Sequence, residues 1–98
     1  MPEIGFEWDP RKSRANQRKH RVSFEEARTV FFDERALVAS DPDHSAEEER
    51  FLIIGFSLRA RLLLVCFCER QEGGVIRIIS ARKATRKETV QYKEGRWV

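Results

Sequence analysis

Arg77, Arg82, Lys83 and Arg86 crowd one stretch near the end of the chain. Arginine presents a planar fork of donors that matches phosphate oxygens in pairs, and lysine adds a compact point charge. Such a cluster suits holding a phosphate and stabilising the negative charge that builds on it. Groups able to move protons lie earlier. His44 sits in the turn-rich run Asp41-Pro42-Asp43-His44-Ser45, with Glu48 four residues on. Imidazole and carboxylate are suited to proton transfer near neutral pH, and loops are where reacting side chains concentrate. Arg50 and Arg61 begin two neighbouring apolar runs and can reach the same end of a sheet. These residues also have plainer readings. Glu48 can serve as capping partner to Ser45, and a run of cations is most simply a solvated face. His20 closes a polar helical stretch, where an imidazolium complements the helix dipole, and Trp8 is most simply an anchor for that helix.

The cationic stretch poses a question of parity. Arg77 is in register with Val75, Ile79 and Ala81, whereas Arg82 is in register with Ile76, Ile78 and Ser80. On a regular strand the two guanidinium groups face opposite sides. Either a bulge near Ser80 turns one of them, or the two do different work.

The elements that must position these groups can be read from pattern. Residues 4–8 alternate weakly, as a short strand would. Asp9-Pro10 reads as a helix N-cap followed by proline at the first helical position, opening an almost wholly polar helix to about residue 20. Ser23 and Glu26 have the spacing of a capping box. Behind them Phe24, Ala27 and Phe31, with Val30, form one apolar stripe of a second helix. Residues 36–39 are a short strand candidate. Three strands are then expected at 50–58, 61–69 and 75–83, the middle one apolar on both faces and so central. The short links between them predict an antiparallel meander. Thr85 and Glu88 form a second capping box that opens a C-terminal helix to about residue 94. The expected fold class is α+β: a four-stranded antiparallel sheet packed with two N-terminal helices and a C-terminal helix.

With 98 residues, 41% of them hydrophobic, the sequence reads as a single domain over 1–98 with a modest core. The net charge of +3 is unevenly spread: residues 1–24 carry +3, 25–74 carry −5 and 75–98 carry +5. If the two basic ends meet in space, they form a positive surface suited to phosphate. Cys66 and Cys68 lie two apart in an apolar strand and read as reduced core thiols. Only His20 and His44 remain to complete a zinc site with them, so neither metal nor cofactor is expected. The longest apolar run, residues 62–68, is far short of the ~20 residues that span a bilayer, and no signal peptide is visible, so no membrane association and a cytoplasmic location are expected.

Five segments coincide in order and spacing with one known family. They are Phe6-Glu7-Trp8-Asp9-Pro10 with Lys12 and Asn16, and Lys19-His20 through Val22-Ser23-Phe24-Glu25-Glu26-Ala27. Asp33 follows after the paired Phe31 and Phe32, then Asp41, His44 and Glu48 leading to Arg50, and finally Ile76-Arg77-Ile78-Ile79-Ser80-Ala81-Arg82-Lys83-Ala84. In these the chain resembles the BrnT toxin family. Arg21 departs from it, standing where the family usually has the glycine of a left-handed helix end. The resemblance implies a RelE-like fold and metal-independent endoribonuclease activity that arrests growth. It also implies a BrnA-like ribbon-helix-helix antitoxin, promoter DNA bound only through that antitoxin, and a toxin dimer within the complex. On that footing Arg77 and Arg82 would stabilise the phosphorane, and His44 or Glu48 would move protons. Arg50, Arg61, Lys83, Arg86 and Tyr92 would hold RNA, Tyr92 as proton donor or base stack. The competing reading is a non-catalytic nucleic-acid or protein-binding module derived from the same fold.

Overall fold

The computed structural model describes residues 4–42 and 49–97. The elements follow in the order β1 (Gly5–Glu7), α1 (Pro10–His20), α2 (Phe24–Thr29), a 3-10 turn (Val30–Phe32), β2 (Leu37–Ser40), β3 (Phe51–Phe56), β4 (Leu62–Arg70), β5 (Val75–Lys83) and α3 (Arg86–Glu94). The strands form one sheet in the order β1-β5-β4-β3-β2. The four-stranded antiparallel sheet expected from the sequence is thereby corrected to a five-stranded mixed one. β2 to β5 are the antiparallel strands, and β1 adds to β5 in parallel, Gly5 opposite Val75 and Glu7 opposite Arg77. A parallel neighbour needs no hairpin, so a three-residue strand leaves no local signal of where it will pair.

One sheet face packs under α1 and α2. Phe24, Ala27 and Val30 are fully buried there, against Ile53, Leu63, Val65, Phe67, Ile76, Ile78 and Ala81. Phe31 sets its ring edge-on to Phe67 at 4.9 Å, and Phe6 does the same to Phe31 at 5.3 Å. Burial of such side chains contributes about 1.5–3 kcal/mol each. Gly55 lets β3 pass close beneath the turn after α2: a Cβ there would come within 3.0 Å of Asp33 Oδ2 and 3.1 Å of Val30 Cγ1.

α1 has almost no apolar face, so polar contacts hold it. Asn16 Nδ2 donates to the carbonyls of Val22 and Ala81, each at 2.8 Å, and its Oδ1 accepts the Ala81 N–H at 3.1 Å. The Asn16 amide thus does for Ala81 what a neighbouring strand would, beyond the point where β1 ends. Ser13 Oγ accepts the N–H of Phe24, one of the unsatisfied donors at the start of α2. Arg21 ends α1 at φ 60°, ψ 30°, the left-handed conformation anticipated for a glycine. α3 packs on the opposite sheet face, where the Phe56 and Tyr92 rings meet edge-on at 5.4 Å.

Both capping motifs are found, one in altered form. At α3 it is reciprocal between Thr85 and Glu88. At α2 only half forms: Ser23 Oγ accepts the Glu26 N–H at 3.1 Å, while the Glu26 carboxylate turns away to accept from Ser57 Oγ at 2.7 Å and Arg61 Nε at 2.9 Å.

Candidate functional site

The parity question is resolved by a bulge. β4 and β5 pair Cys66 with Ser80 but Phe67 with Ile78, leaving Ile79 as the extra residue. The insertion keeps Ile76, Ile78 and Ala81 on the core face and puts Arg77, Ser80 and Arg82 together on the other. A bulge near Ser80, one of the two alternatives left open by the pattern, is the one found.

On that face Lys19, His20, Asp41, Arg50, Leu52, Leu64, Cys66, Ser80 and Arg82 line a groove of about 540 Å³. α1 delivers Lys19 and His20 over the edge of β5, and β5 supplies Ser80 and Arg82. Asp41 and Arg50 come from either side of residues 42–49 and are joined by a backbone hydrogen bond of 2.9 Å, Asp41 N–H to Arg50 carbonyl. The Arg50 Nε is buried without a hydrogen-bond acceptor among the described residues. Arg82 is half-committed: its Nη1 and Nη2 each donate to one Glu88 oxygen at 2.9 Å, yet 39% of its side chain remains exposed. The Cys66 thiol contacts Asp41 Oδ2 at 3.7 Å. Burial first, and then the Asp41 charge, push its pKa up to about 11, so it stays a neutral thiol and not a nucleophile. Four basic side chains around a partly polar cleft are an arrangement for an anion.

The other residues singled out by sequence are distributed as follows. Arg77 lies on the same sheet face as Arg82 but outside the groove, donating from Nη1 to Glu7 Oε2 at 2.6 Å. Arg61 is bound by Glu26 and donates from Nη2 to the Arg21 carbonyl at 2.9 Å, so it ties the β3–β4 hairpin to the end of α1. Tyr92 donates its hydroxyl to Asp33 Oδ2 at 2.6 Å. It lines a separate depression with Arg35, Leu37, Phe56 and Lys93. Burial, and then that contact, raise the phenol to about 12. Lys83 and Arg86 are exposed and follow Arg82 along the chain, but neither lines the groove. His44 and Glu48 lie outside the described residues.

Lys19 and His20 are the groove residues that helix reasoning passed over, since a basic last turn is explained by the dipole alone. The usable signal was the i, i+4 and i+7 spacing of Lys12, Asn16 and Lys19, which marks one face of α1.

Comparison with curated protein sequences gives no significant match. Among solved structures, the ribonuclease toxin BrnT of Brucella abortus superposes with a TM-score of 0.64 at 22% identity, covering 85% of this chain and 99% of that one. At that identity the likeness speaks for the fold. The sequence profile of the ribonuclease toxin BrnT of type II toxin-antitoxin systems matches residues 8–88. The match spans most of the chain, and the protein belongs to the BrnT family of type II toxin-antitoxin ribonuclease toxins.

Proposed function

We propose that this chain is a metal-independent endoribonuclease whose active groove is the cleft between Arg50, Arg82, Lys19 and His20. The observation that carries the reading is the buried Arg50 Nε, without an acceptor among the described residues, in a cleft lined by three further basic side chains. Such a donor is costly to leave unmet, and a phosphate oxygen supplies what it lacks.

RNA carries its own nucleophile. The 2′-oxygen attacks the adjacent phosphorus as its proton leaves to a base, the bond from phosphorus to the 5′-oxygen breaks, and that oxygen takes a proton from an acid. The products are a 2′,3′-cyclic phosphate and a 5′-hydroxyl. Arg50, Arg82 and Lys19 hold the phosphate and stabilise the extra negative charge of the phosphorane. His44 or Glu48, from the segment bracketed by Asp41 and Arg50, moves the protons, with His20 as the partner on the α1 side. Lys83 and Arg86 steer RNA toward the cleft. Arg77, Arg61 and Tyr92 do not line this cleft and are given no catalytic part in this reading, whereas Arg82, though paired with Glu88, does line it. Family membership implies an antitoxin, and the partner proposed is a BrnA-like ribbon-helix-helix protein through which promoter DNA is bound, in a complex that includes a toxin dimer. The proposed location is the cytoplasm; among the described residues, no helix is long and apolar enough to cross a membrane.

Incubation with single-stranded RNA in excess chelator tests the chemistry. The expected result is fragments ending in 2′,3′-cyclic phosphate, with Arg50→Ala and Arg82→Lys slower by roughly 10²–10³ and His44→Ala or Glu48→Gln impaired. Intact RNA with the parent protein, or undiminished rates in folded Arg50→Ala, would overturn the reading.

A further inference from the structure

The groove does not end at His20. A shallower depression of about 250 Å³ continues from it along α1, lined by Lys12, Ala15, Asn16, Lys19, His20, Ile79 and Ser80. Lys19, His20, Ile79 and Ser80 line both hollows. The floor is β5 beyond the end of β1, whose pairing stops at Arg77. The wall is one stripe of α1: Lys12, Ala15 and Lys19 lie at i, i+3 and i+7, with Lys12 and Lys19 two turns and ~10 Å apart. Ala15 between them is small enough to leave the hollow open. Asn16 at its base is fully committed to Val22 and Ala81 and is not a binding group. The two lysines are different. Both are exposed, and neither ammonium is held by a hydrogen bond or salt bridge among the described residues. Asp9 feels the Lys12 charge, but it caps α1 through the Arg11 N–H at 2.9 Å and lies 3.7 Å from the Arg11 Nε.

We propose that this stripe is a second phosphate subsite, in which Lys12 holds a backbone phosphate of single-stranded RNA next to the one seated in the main groove. The inference rests on the ribonuclease reading of that groove and extends it. Lys19, shared by both hollows, bridges the two phosphates, and Lys12 sets how far the bound strand reaches along α1. The ligand is a polyanion of extended shape. A lone anion would be satisfied by the deeper groove, and the second hollow, continuous with the first and carrying its own exposed lysine, fits a chain of phosphates.

The test measures affinity for RNA made uncleavable by 2′-deoxy substitution, as a dinucleotide and as a longer strand, over a range of salt. Lys12→Ala is compared with Arg14→Ala. The latter removes the same charge from an exposed α1 position that lines neither hollow. Alanine keeps the helix, and circular dichroism checks it. Lys12→Ala should weaken binding of the longer strand, lower its slope of log affinity against log salt by about 0.7, and leave dinucleotide binding unchanged. Arg14→Ala should leave the parent's slope. Equal effects of the two substitutions, or an effect of Lys12→Ala on the dinucleotide as large as on the longer strand, overturn the subsite. So does a Lys12→Ala protein that binds RNA normally but loses its antitoxin, since the stripe then serves a protein partner. Cleavage by the parent is read separately: binding with the expected pattern but no cleavage sinks the ribonuclease reading and leaves the subsite standing.

Discussion

Arg61→Ala is expected to cost this protein about 2–3 kcal/mol of stability. The Glu26 side chain is 4% exposed and accepts from Ser57 Oγ, from Arg61 Nε and from Arg61 Nη2. Removing Arg61 leaves a buried carboxylate with one hydroxyl donor. Arg59 stands 4.0 Å away with 76% of its side chain exposed, too well solvated to replace it. Stranding one member of a buried pair costs about 3–5 kcal/mol; Arg61 is itself 27% exposed, so water can partly refill its place and the expected cost falls to the bottom of that range or just below it. For a domain this small, that is on the order of 10–20 °C in midpoint temperature. Urea unfolding followed by tryptophan fluorescence reads it, since Trp8 packs edge-on to the buried Phe24. Replacing both partners, Glu26→Met with Arg61→Met, should restore much of the loss, because neither charge is then stranded. The pH dependence has a fixed sign. The Arg61 contact first, and then Ser57, hold the folded Glu26 pKa below its ordinary 4.5 against the opposing effect of burial. The parent's share of stability from this pair is therefore full above about pH 4.5 and is lost as pH falls through the lower folded value. The Arg61→Ala deficit should accordingly shrink in acid. A loss under 1 kcal/mol at pH 7, or a deficit that grows on acidification, would refute the reasoning.

Arg21→Gly should stabilise the chain by about 1 kcal/mol, since Arg21 holds a left-handed φ of 60° that glycine takes freely; thermal unfolding measures it, and an unchanged or lower midpoint counts against strain at this helix end. Asn16→Leu should cost about 2–4 kcal/mol by orphaning the Ala81 N–H and the Val22 and Ala81 carbonyls, read by urea titration, with a near-neutral result showing that α1 does not need this amide. Cys66, with its pKa raised from 9.0 to about 11, should carry about a hundredfold less thiolate at pH 8 than an ordinary cysteine. Disulfide-exchange labelling of the folded protein should be correspondingly slow and become fast in urea, and rapid labelling of the native chain would contradict the burial.

Much of the fold was legible because its signals are local. Asp9-Pro10, Ser23 and Thr85 start the three helices where expected, and the three strands from residue 51 onward fall within a residue or two of their expected bounds. Alternation and short links specify a meander without reference to anything distant. The Cys66 and Cys68 thiols are buried and form no disulfide, as an apolar run on both strand faces requires. Three features were not legible. β1 pairs with β5 across some seventy residues, and no local pattern encodes the partner of a three-residue strand. Glu26 fits a capping box by spacing, yet a buried carboxylate is better satisfied by Arg61 and Ser57, which only the packed hairpin brings to it. Arg77 and Arg61 looked as available as Arg50, and their carboxylate partners Glu7 and Glu26 are remote in sequence.

For the groove, the sequence by itself determined the supply of cations and the strand that carries Arg82. It also marked the need for a bulge if Arg77 and Arg82 were to share a face. Only the tertiary structure decided where the irregularity fell, at Ile79, and which cations pair with distant carboxylates. That choice depends on the short-range geometry of ion pairs between distant segments, which spacing along the chain does not record. It likewise brought Lys19 and His20 over the edge of β5, because Asn16 takes the place of a missing strand beside Ala81 and holds α1 there.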